Sequence, residues 1–174
     1  LTRHATFRDI EHYCEHSANP VGHLVLYVFG HRDEERQRLS DSTCTALQLT
    51  NFWQDVRRDH RMGRIYIPLE DMNRFGYSED QLAQGLFAPQ FRDLMAFEVD
   101  RTRNFFQRGL KLVNKLEGRL KLDVALFSLG GMKMLETIER QDYNVFSKRP
   151  ELSKATKIRL MASTTLRLAF LNRV

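Results

Sequence analysis

Residues 89–116, PQFRDLMAFEVDRTRNFFQRGLKLVNKL, decide the fold class of the chain. Apolar side chains recur there at three- and four-residue spacing, which places them on one stripe of an α-helix. Proline is favoured in the first turn of a helix, so we predict that the longest helix begins at Pro89. Glu98 interrupts the stripe, and we expect it to form a structural hydrogen bond rather than to act in catalysis. The apolar positions are Phe91, Leu94, Met95, Phe105, Phe106, Leu112, Val113 and Leu116.

Most of the remaining chain has the same helical periodicity. Residues 64–68 are the one short alternating segment, and we predict an extended loop there that ends in a turn at Pro68. Because β-branched alternating runs are otherwise nearly absent, the pattern predicts an all-α fold. The further helices are predicted over residues 17–30, 34–59, 78–85, 118–141 and 153–171.

The composition predicts a single domain over residues 1–174, since 42% of the residues are hydrophobic. The longest apolar run, residues 24–29, is far too short to cross a bilayer. Cys14 and Cys44 are too few for a disulfide framework, which favours a reducing, cytoplasmic location. A net charge of +5 favours an anionic partner, which could be nucleic acid, acidic lipid or a phosphorylated substrate.

Four polar side chains share one arc of the helix predicted over residues 34–59. Gln48, Asn51, Asp55 and Asp59 follow one another at spacings of three and four residues. Carboxylate and amide oxygens are the ligands that Mg²⁺ prefers, and Mg²⁺ commonly completes its coordination with substrate phosphate oxygens. The arc therefore predicts a Mg²⁺ site for a diphosphate ester. The alternative is that the acids only decorate an exposed helix.

Two neighbouring motifs resemble the squalene/phytoene synthase family. They are QxxNxxQDxxxD at residues 48–59 and GRxYxP at residues 63–68. The stretch YCxxSANPVG at residues 13–22 is similar to the hydroxysqualene synthase branch of that family, which works in bacterial squalene and hopanoid synthesis. The resemblance extends along essentially the whole chain and implies an all-α isoprenoid (terpenoid) synthase fold.

The resemblance implies Mg²⁺-assisted loss of diphosphate from a prenyl diphosphate. The most specific expectation is conversion of presqualene diphosphate and water to hydroxysqualene. One alternative is a head-to-head prenyltransferase that uses farnesyl or geranylgeranyl diphosphate and makes presqualene diphosphate, squalene or phytoene. An alternative of another class is a non-catalytic helical assembly or interaction protein on the same fold, which would be expected to have lost the acids of the arc.

The resemblance also assigns roles to individual residues. The metal ligands are Asn51, Asp55 and Asp59. The catalytic residues are Asp55, Asp59 and Tyr66, where Tyr66 and Arg64 belong to a loop that closes over the diphosphate. The substrate contacts are Gln48, Asn51, Arg64, Tyr66, Tyr13 and Tyr143. Packing between helices is the alternative role for Tyr13 and Tyr143.

The chain departs from the common family pattern at three points. Gln54 and Arg58 stand where the family more often has Arg and Glu, so the local charge is more positive. The sequence contains no second DxxxD cluster, which the family carries upstream. We therefore expect a C-terminal part of a longer synthase, without its N-terminal helices, that binds Mg²⁺ and diphosphate weakly and turns over slowly or not at all.

Residues 146–174 are strongly basic, with seven Lys or Arg residues against one acid. A solvated helix face packed on the core explains this charge most simply, and a nucleic-acid binder is the alternative that we reject. Contact with an anionic membrane would suit an enzyme with a poorly soluble substrate. The expected partners are thus a prenyl diphosphate and a peripheral membrane contact at the inner face, with no nucleic acid and no oligomeric state specified.

Overall fold

The computed structural model describes residues 2–171, with side chains described as far as residue 168. This part of the chain contains no β-strand, and a single bridge joins Thr2 to Arg64. The all-α prediction is confirmed. No helix in the same part is both long and apolar enough to cross a membrane. The helices are α1 (Phe7–Ser17), α2 (Asn19–Val28), α3 (Glu34–Arg61), α4 (Leu69–Arg74), α5 (Glu79–Gln84), α6 (Pro89–Gly109), a 3₁₀ helix (Leu110–Lys115), α7 (Gly118–Arg140) and α8 (Lys154–Leu171).

Helix α3 is the central element of the fold. Its 28 residues give it a length of about 42 Å. It packs against α1, α2, α6 and α7, and its buried residues lie between Ser40 and Val56. Trp53 is fully buried between α3 and α6, where its indole N–H donates to Thr102 Oγ1 at 2.8 Å. Both cysteine thiols are free.

The prediction that the longest helix begins at Pro89 is wrong, because α6 ends at Gly109 after 21 residues and α3 is longer. Helix α3 passes very close to α6 at this glycine. A Cβ atom on Gly109 would lie 2.2 Å from Thr43 Oγ1 and 2.9 Å from the Thr43 backbone nitrogen. The chain continues as the 3₁₀ helix, which keeps Leu112 and Val113 buried.

The structure contains two helices, α1 and α4, that the sequence did not predict. Helix α1 begins with a capping box, in which Thr6 and Asp9 satisfy each other's backbone N–H groups. Helix α4 follows Pro68, where only a turn was predicted. The two helices are joined because the Phe7 backbone N–H donates to Glu70 Oε1 at 2.6 Å.

Glu98 has the polar partner that its place in the apolar stripe requires. Its side chain is fully buried, and Arg101 NH1 lies 3.2 Å from Glu98 Oε2. The same guanidinium forms a second ion pair with Asp71 at 2.8 Å. We call Glu98, Arg101 and Asp71 the buried triad. Burial is the main cause that raises the pKa of Glu98 well above its usual range.

Replacing Glu98 by Gln is expected to flatten the dependence of stability on pH. A carboxyl group whose pKa is higher in the folded than in the unfolded state contributes stability that is fully present below the unfolded pKa. That contribution is lost as the pH rises through the folded pKa. Thermal unfolding across a pH series checks this, with Glu34→Gln, an exposed acid on α3, as the control that keeps the wild-type slope. Parallel profiles for E98Q and the wild type would contradict it.

Candidate active site

The four polar residues of the predicted arc lie on the one continuous helix α3, as the sequence predicts. Asn51 is exposed, whereas Gln48, Asp55 and Asp59 are half-buried. Neither amide side chain has a hydrogen-bond partner within the described residues. The amides are thus free to accept or donate toward a ligand.

Asp55 is held by an arginine that the sequence analysis missed. Arg149 donates two hydrogen bonds to it, from Nε to Oδ1 at 2.7 Å and from NH2 to Oδ2 at 3.0 Å. These hydrogen bonds are the main cause that lowers the pKa of Asp55. The only sequence signal was the Lys148-Arg149 pair in the basic segment, which gives no hint of a partner 94 residues away.

Asp59 has the opposite environment. Its pKa is raised, chiefly by burial and then by repulsion from Asp55, while the charges of Arg64 and Arg58 act in the other direction. No side chain among the described residues pairs with its carboxylate. The Arg64 backbone N–H donates to the Asp59 backbone oxygen at 2.9 Å, which fixes the loop after α3. Asp59 is therefore the carboxylate most open to a cation.

The loop at residues 64–68 brings an aromatic cluster to the same end of α3. The ring of Tyr66 stacks on Phe52 at 3.8 Å between centroids, and Tyr13 from α1 lies 5.6 Å from Tyr66. Burial, followed by the hydrogen bond to Tyr13, raises the pKa of Tyr66 to about 12. A small cavity of about 10 Å³ is lined by Asp59, Arg64 and Tyr66 among others. Tyr13 and Tyr66 are thus neighbours next to Asp59.

Tyr143 is placed apart from these residues. It has a left-handed backbone with φ of 63°, and the Arg92 guanidinium of α6 lies 5.9 Å from its ring centroid. Within the described residues it shares no hydrogen bond or ring contact with the other candidates. Its role as a substrate contact stays a prediction.

The segment between α7 and α8 is tied to α3 by polar contacts. The buried Gln54 side chain donates to the Pro150 carbonyl oxygen at 2.9 Å, and Arg57 donates to the Phe146 carbonyl oxygen at 2.9 Å. These contacts hold Arg149 opposite Asp55. The unusual Gln54 therefore has a structural role, since an amide can serve a backbone carbonyl in a buried position without adding a charge.

An apolar groove lies beside the first half of α3, on the same side of the helix as the polar arc. Its volume is about 400 Å³, and α2, α3 and α7 form its walls. Helices α2 and α3 approach closely because Gly22 has no side chain, and a Cβ atom there would lie 2.3 Å from Ser40 Oγ. Groove residues on α3 include Ser40, Cys44 and Leu47, which lie within about 80° of Asn51 and Asp55 around the helix. One face of α3 is therefore apolar in its first half and acidic in its second.

The oxygen donors of Asn51, Asp55 and Asp59 form a set that fits Mg²⁺, because two carboxylates and one amide are hard ligands on successive turns. Arg149 adds positive charge at Asp55 and Arg64 adds it near Asp59, which fits a polyphosphate. The arrangement is thus suited to hold a diphosphate next to an apolar groove.

Curated proteins of known description are similar to this chain. Among curated relatives, the 15-cis-phytoene synthase of Synechocystis sp. is 34% identical over 181 residues, which cover 95% of this chain and 53% of the relative. Phytoene synthase 2 of Zea mays is 31% identical over 90% of this chain and 40% of the relative. The chain spans about half or less of the length of these relatives.

Two solved structures are similar in fold. The squalene synthase HpnC from Alicyclobacillus acidocaldarius is 43% identical and superposes with a TM-score of 0.81, covering 83% of this chain and 55% of that chain. A dehydrosqualene synthase solved in complex with a ligand is 25% identical, with a TM-score of 0.88 over 97% of this chain and 60% of that one. The family profile described as squalene/phytoene synthase matches residues 1–156. The chain therefore belongs to the squalene/phytoene synthase family.

Proposed function

We propose that the chain carries the Mg²⁺ and diphosphate site of an isoprenoid-biosynthesis synthase. The single observation that carries the proposal is the shared face of α3, on which Cys44 and Leu47 of the groove precede Asn51 and Asp55. A prenyl diphosphate is likewise divided into an apolar chain and a charged head group, as this face of α3 is divided into an apolar half and an acidic half. We also propose that residues 1–174 form one all-α domain, because the larger of two apolar clusters contains residues from Ile10 to Phe146.

In the proposed reaction, the carbon–oxygen bond to the diphosphate breaks and the electron pair leaves with the oxygen. Bound Mg²⁺ would act as a Lewis acid that neutralises the developing charge of the diphosphate. Asn51, Asp55 and Asp59 would hold the metal, and Arg64 and Arg149 would donate charge-assisted hydrogen bonds to the leaving group. The prenyl cation stays in the groove until water adds to it and a proton is lost.

The aromatic cluster shields this chemistry from solvent. Tyr66 is buried against Phe52 and Tyr13, and the loop at residues 64–68 lines the small cavity at Asp59. Its phenol, with a pKa of about 12, stays protonated at neutral pH and remains a hydrogen-bond donor. Gln48, one turn before Asn51, is positioned to contact the substrate.

Presqualene diphosphate is the proposed substrate, with water as co-substrate and hydroxysqualene and diphosphate as products. The stretch at residues 13–22 supports this choice. The 43% identity to a protein described as a squalene synthase favours squalene synthesis over phytoene synthesis. The curated phytoene synthases favour the alternative, head-to-head coupling of two farnesyl or geranylgeranyl diphosphates.

The test is Mg²⁺-dependent binding of inorganic pyrophosphate, measured by calorimetry, followed by competition with presqualene, farnesyl and geranylgeranyl diphosphates. We expect presqualene diphosphate to compete best and slow formation of hydroxysqualene to be detectable by mass spectrometry. Preference for geranylgeranyl diphosphate would replace this proposal with the phytoene reaction. No Mg²⁺-dependent binding at all would leave the non-catalytic assembly role as the better hypothesis.

We further propose that α8 binds peripherally to the anionic inner face of a membrane. The outward face of α8 carries Ile158, Met161 and Leu166, which are 63%, 55% and 56% exposed. Exposed Lys157 and Arg159 lie on its two sides. A helix with an exposed apolar stripe between basic residues is typical of binding at a lipid interface. Residues 172–174, which also belong to the basic segment, lie outside the described part of the chain.

Sedimentation with lipid vesicles tests the membrane proposal. We expect binding to vesicles that contain phosphatidylglycerol, weaker binding at high salt, and no binding to pure phosphatidylcholine. Lys157→Gln should weaken binding by about fivefold, since one basic residue near the surface contributes about 1 kcal/mol. Lys111→Gln, an exposed lysine on the 3₁₀ helix, is the control. Equal binding to both kinds of vesicle would rule the proposal out.

A further inference from the structure

The exposed face of α1 carries three metal-ligating side chains that the proposed reaction does not use. His12, Glu15 and His16 each offer one donor atom, and these atoms lie within 4.8 Å of one another. They occupy positions i, i+3 and i+4 of the helix, so they project from one face. All three are exposed, which leaves an open path for an ion from solvent.

His16 is oriented for metal binding by its own helix. Its Nδ1 lies 2.8 Å from the His12 backbone oxygen. A carbonyl oxygen only accepts hydrogen bonds, so Nδ1 carries the proton and the Nε2 of the neutral ring keeps a free lone pair. Metal-ligating histidines usually have their second ring nitrogen bound in this way, which fixes both the tautomer and the ring orientation.

The other two ligands have a spacing that fits one ion. His12 Nδ1 donates a hydrogen bond to Glu15 Oε2 at 3.4 Å, and a metal ion bound between the two atoms would replace the Nδ1 proton. Two ligands at about 2.0–2.1 Å from a tetrahedral Zn²⁺ are about 3.3 Å from each other. The centroids of the two imidazole rings are 4.4 Å apart, so the second histidine is already close.

Helix α1 provides a rigid platform for these ligands. Its opposite face is anchored by Ile10 and Cys14, both fully buried. Its first turn is held by the capping box of Thr6 and Asp9. The backbone is therefore already ordered, and it loses little conformational entropy when the three side chains bind an ion.

We propose that His12, Glu15 and His16 form a binding site for a divalent late transition metal, with Zn²⁺ as the physiological ion. Two imidazoles and one carboxylate are ligands that Zn²⁺, Ni²⁺ and Cu²⁺ prefer, whereas Mg²⁺ prefers oxygen ligands alone. The molecule would thus separate two kinds of cation, with Mg²⁺ on α3 and Zn²⁺ on α1. A water molecule or a partner's side chain would complete the tetrahedron.

The test is a calorimetric titration of the full chain with Zn²⁺ in excess Mg²⁺. We expect one Zn²⁺ per chain, and binding at least about tenfold weaker in His12→Ala and His16→Ala. His31→Ala removes an imidazole elsewhere and should bind as the wild type does. Asp59→Asn should also keep the Zn²⁺ site, which separates this proposal from that of the Mg²⁺ site.

Co²⁺ absorption supplies a second readout, because a tetrahedral site with nitrogen ligands gives visible bands that are much stronger, and at longer wavelength, than those of the octahedral aqueous ion. Glu15→Gln keeps the side-chain shape, so a change in its spectrum reports ligation rather than unfolding. Unchanged Zn²⁺ affinity in both histidine variants, or displacement of Zn²⁺ by millimolar Mg²⁺, would overturn the proposal.

Discussion

Asparagine in place of Asp59 is expected to weaken Mg²⁺-dependent binding of pyrophosphate by about 100-fold, and to leave the fold intact. Asp59 is the carboxylate without a side-chain partner among the described residues, so its charge is available to a cation. Its raised pKa shows that burial and the Asp55 charge disfavour the ionised form in the free protein. Removing that charge should leave the melting temperature unchanged or slightly higher.

Opposite effects on binding and stability are the signature of a functional rather than a structural acid. Calorimetry with pyrophosphate and thermal unfolding measure the two quantities on the same preparation. Glu34→Gln is the matched control, because it removes one negative charge from the same helix at a side chain that is 88% exposed. Binding by D59N at the wild-type level would show that Asp59 is not a metal ligand.

Methionine in place of Arg101 is expected to destabilise the fold by about 3–5 kcal/mol. Two buried carboxylates, Glu98 and Asp71, would lose the cation that they share. The guanidinium also lies over the rings of Phe7 and Phe97, at 4.0 Å and 4.4 Å from their centroids. Differential scanning calorimetry should detect a fall in melting temperature on the order of 10 °C.

The control for this variant is Arg92→Met, since Arg92 forms an exposed ion pair with Asp142. An exposed pair contributes about 0–1 kcal/mol, so its loss should be small. Adding Glu98→Gln to R101M should restore part of the stability, because the uncompensated buried charge is then removed. A loss for R101M no larger than that for R92M would mean that water or protonation compensates the buried acids.

The helices and the acidic arc were predictable because they depend on spacing within short stretches. The order Gln48, Asn51, Asp55, Asp59 fixes a shared face as soon as α3 is a helix. The end of α6 at Gly109 was not predictable, since it depends on contact with Thr43, far away in the sequence. For the same reason the periodicity indicated that Glu98 needed a partner. It did not indicate that the partner, Arg101, would also pair with Asp71.

The site was predictable only in part. Its acids follow a local pattern, whereas the cation that faces them comes from a different segment. Arg149 reaches Asp55 because Gln54 and Arg57 bind backbone oxygens of the segment between α7 and α8. A count of basic residues shows that this segment is positively charged, but not which acid each side chain contacts. Tyr13 was assigned by resemblance, and its contact with Tyr66 depends on helix α1, which the periodicity did not predict.

The ion pair of Arg149 and Asp55 means that a Mg²⁺ ion bound at the proposed site would have to replace a cation that the protein already supplies. The guanidinium is tethered to the chain, so its effective concentration at the carboxylate is on the order of millimolar or higher. It also binds through two parallel hydrogen bonds, which a monovalent ion cannot match. Abundant K⁺ and Na⁺ should therefore not break the Arg149–Asp55 ion pair. Mg²⁺ bound together with a diphosphate would break it, because Asp55 could then bind the divalent cation and Arg149 could bind the diphosphate. The site would in this way sense the metal and the substrate together.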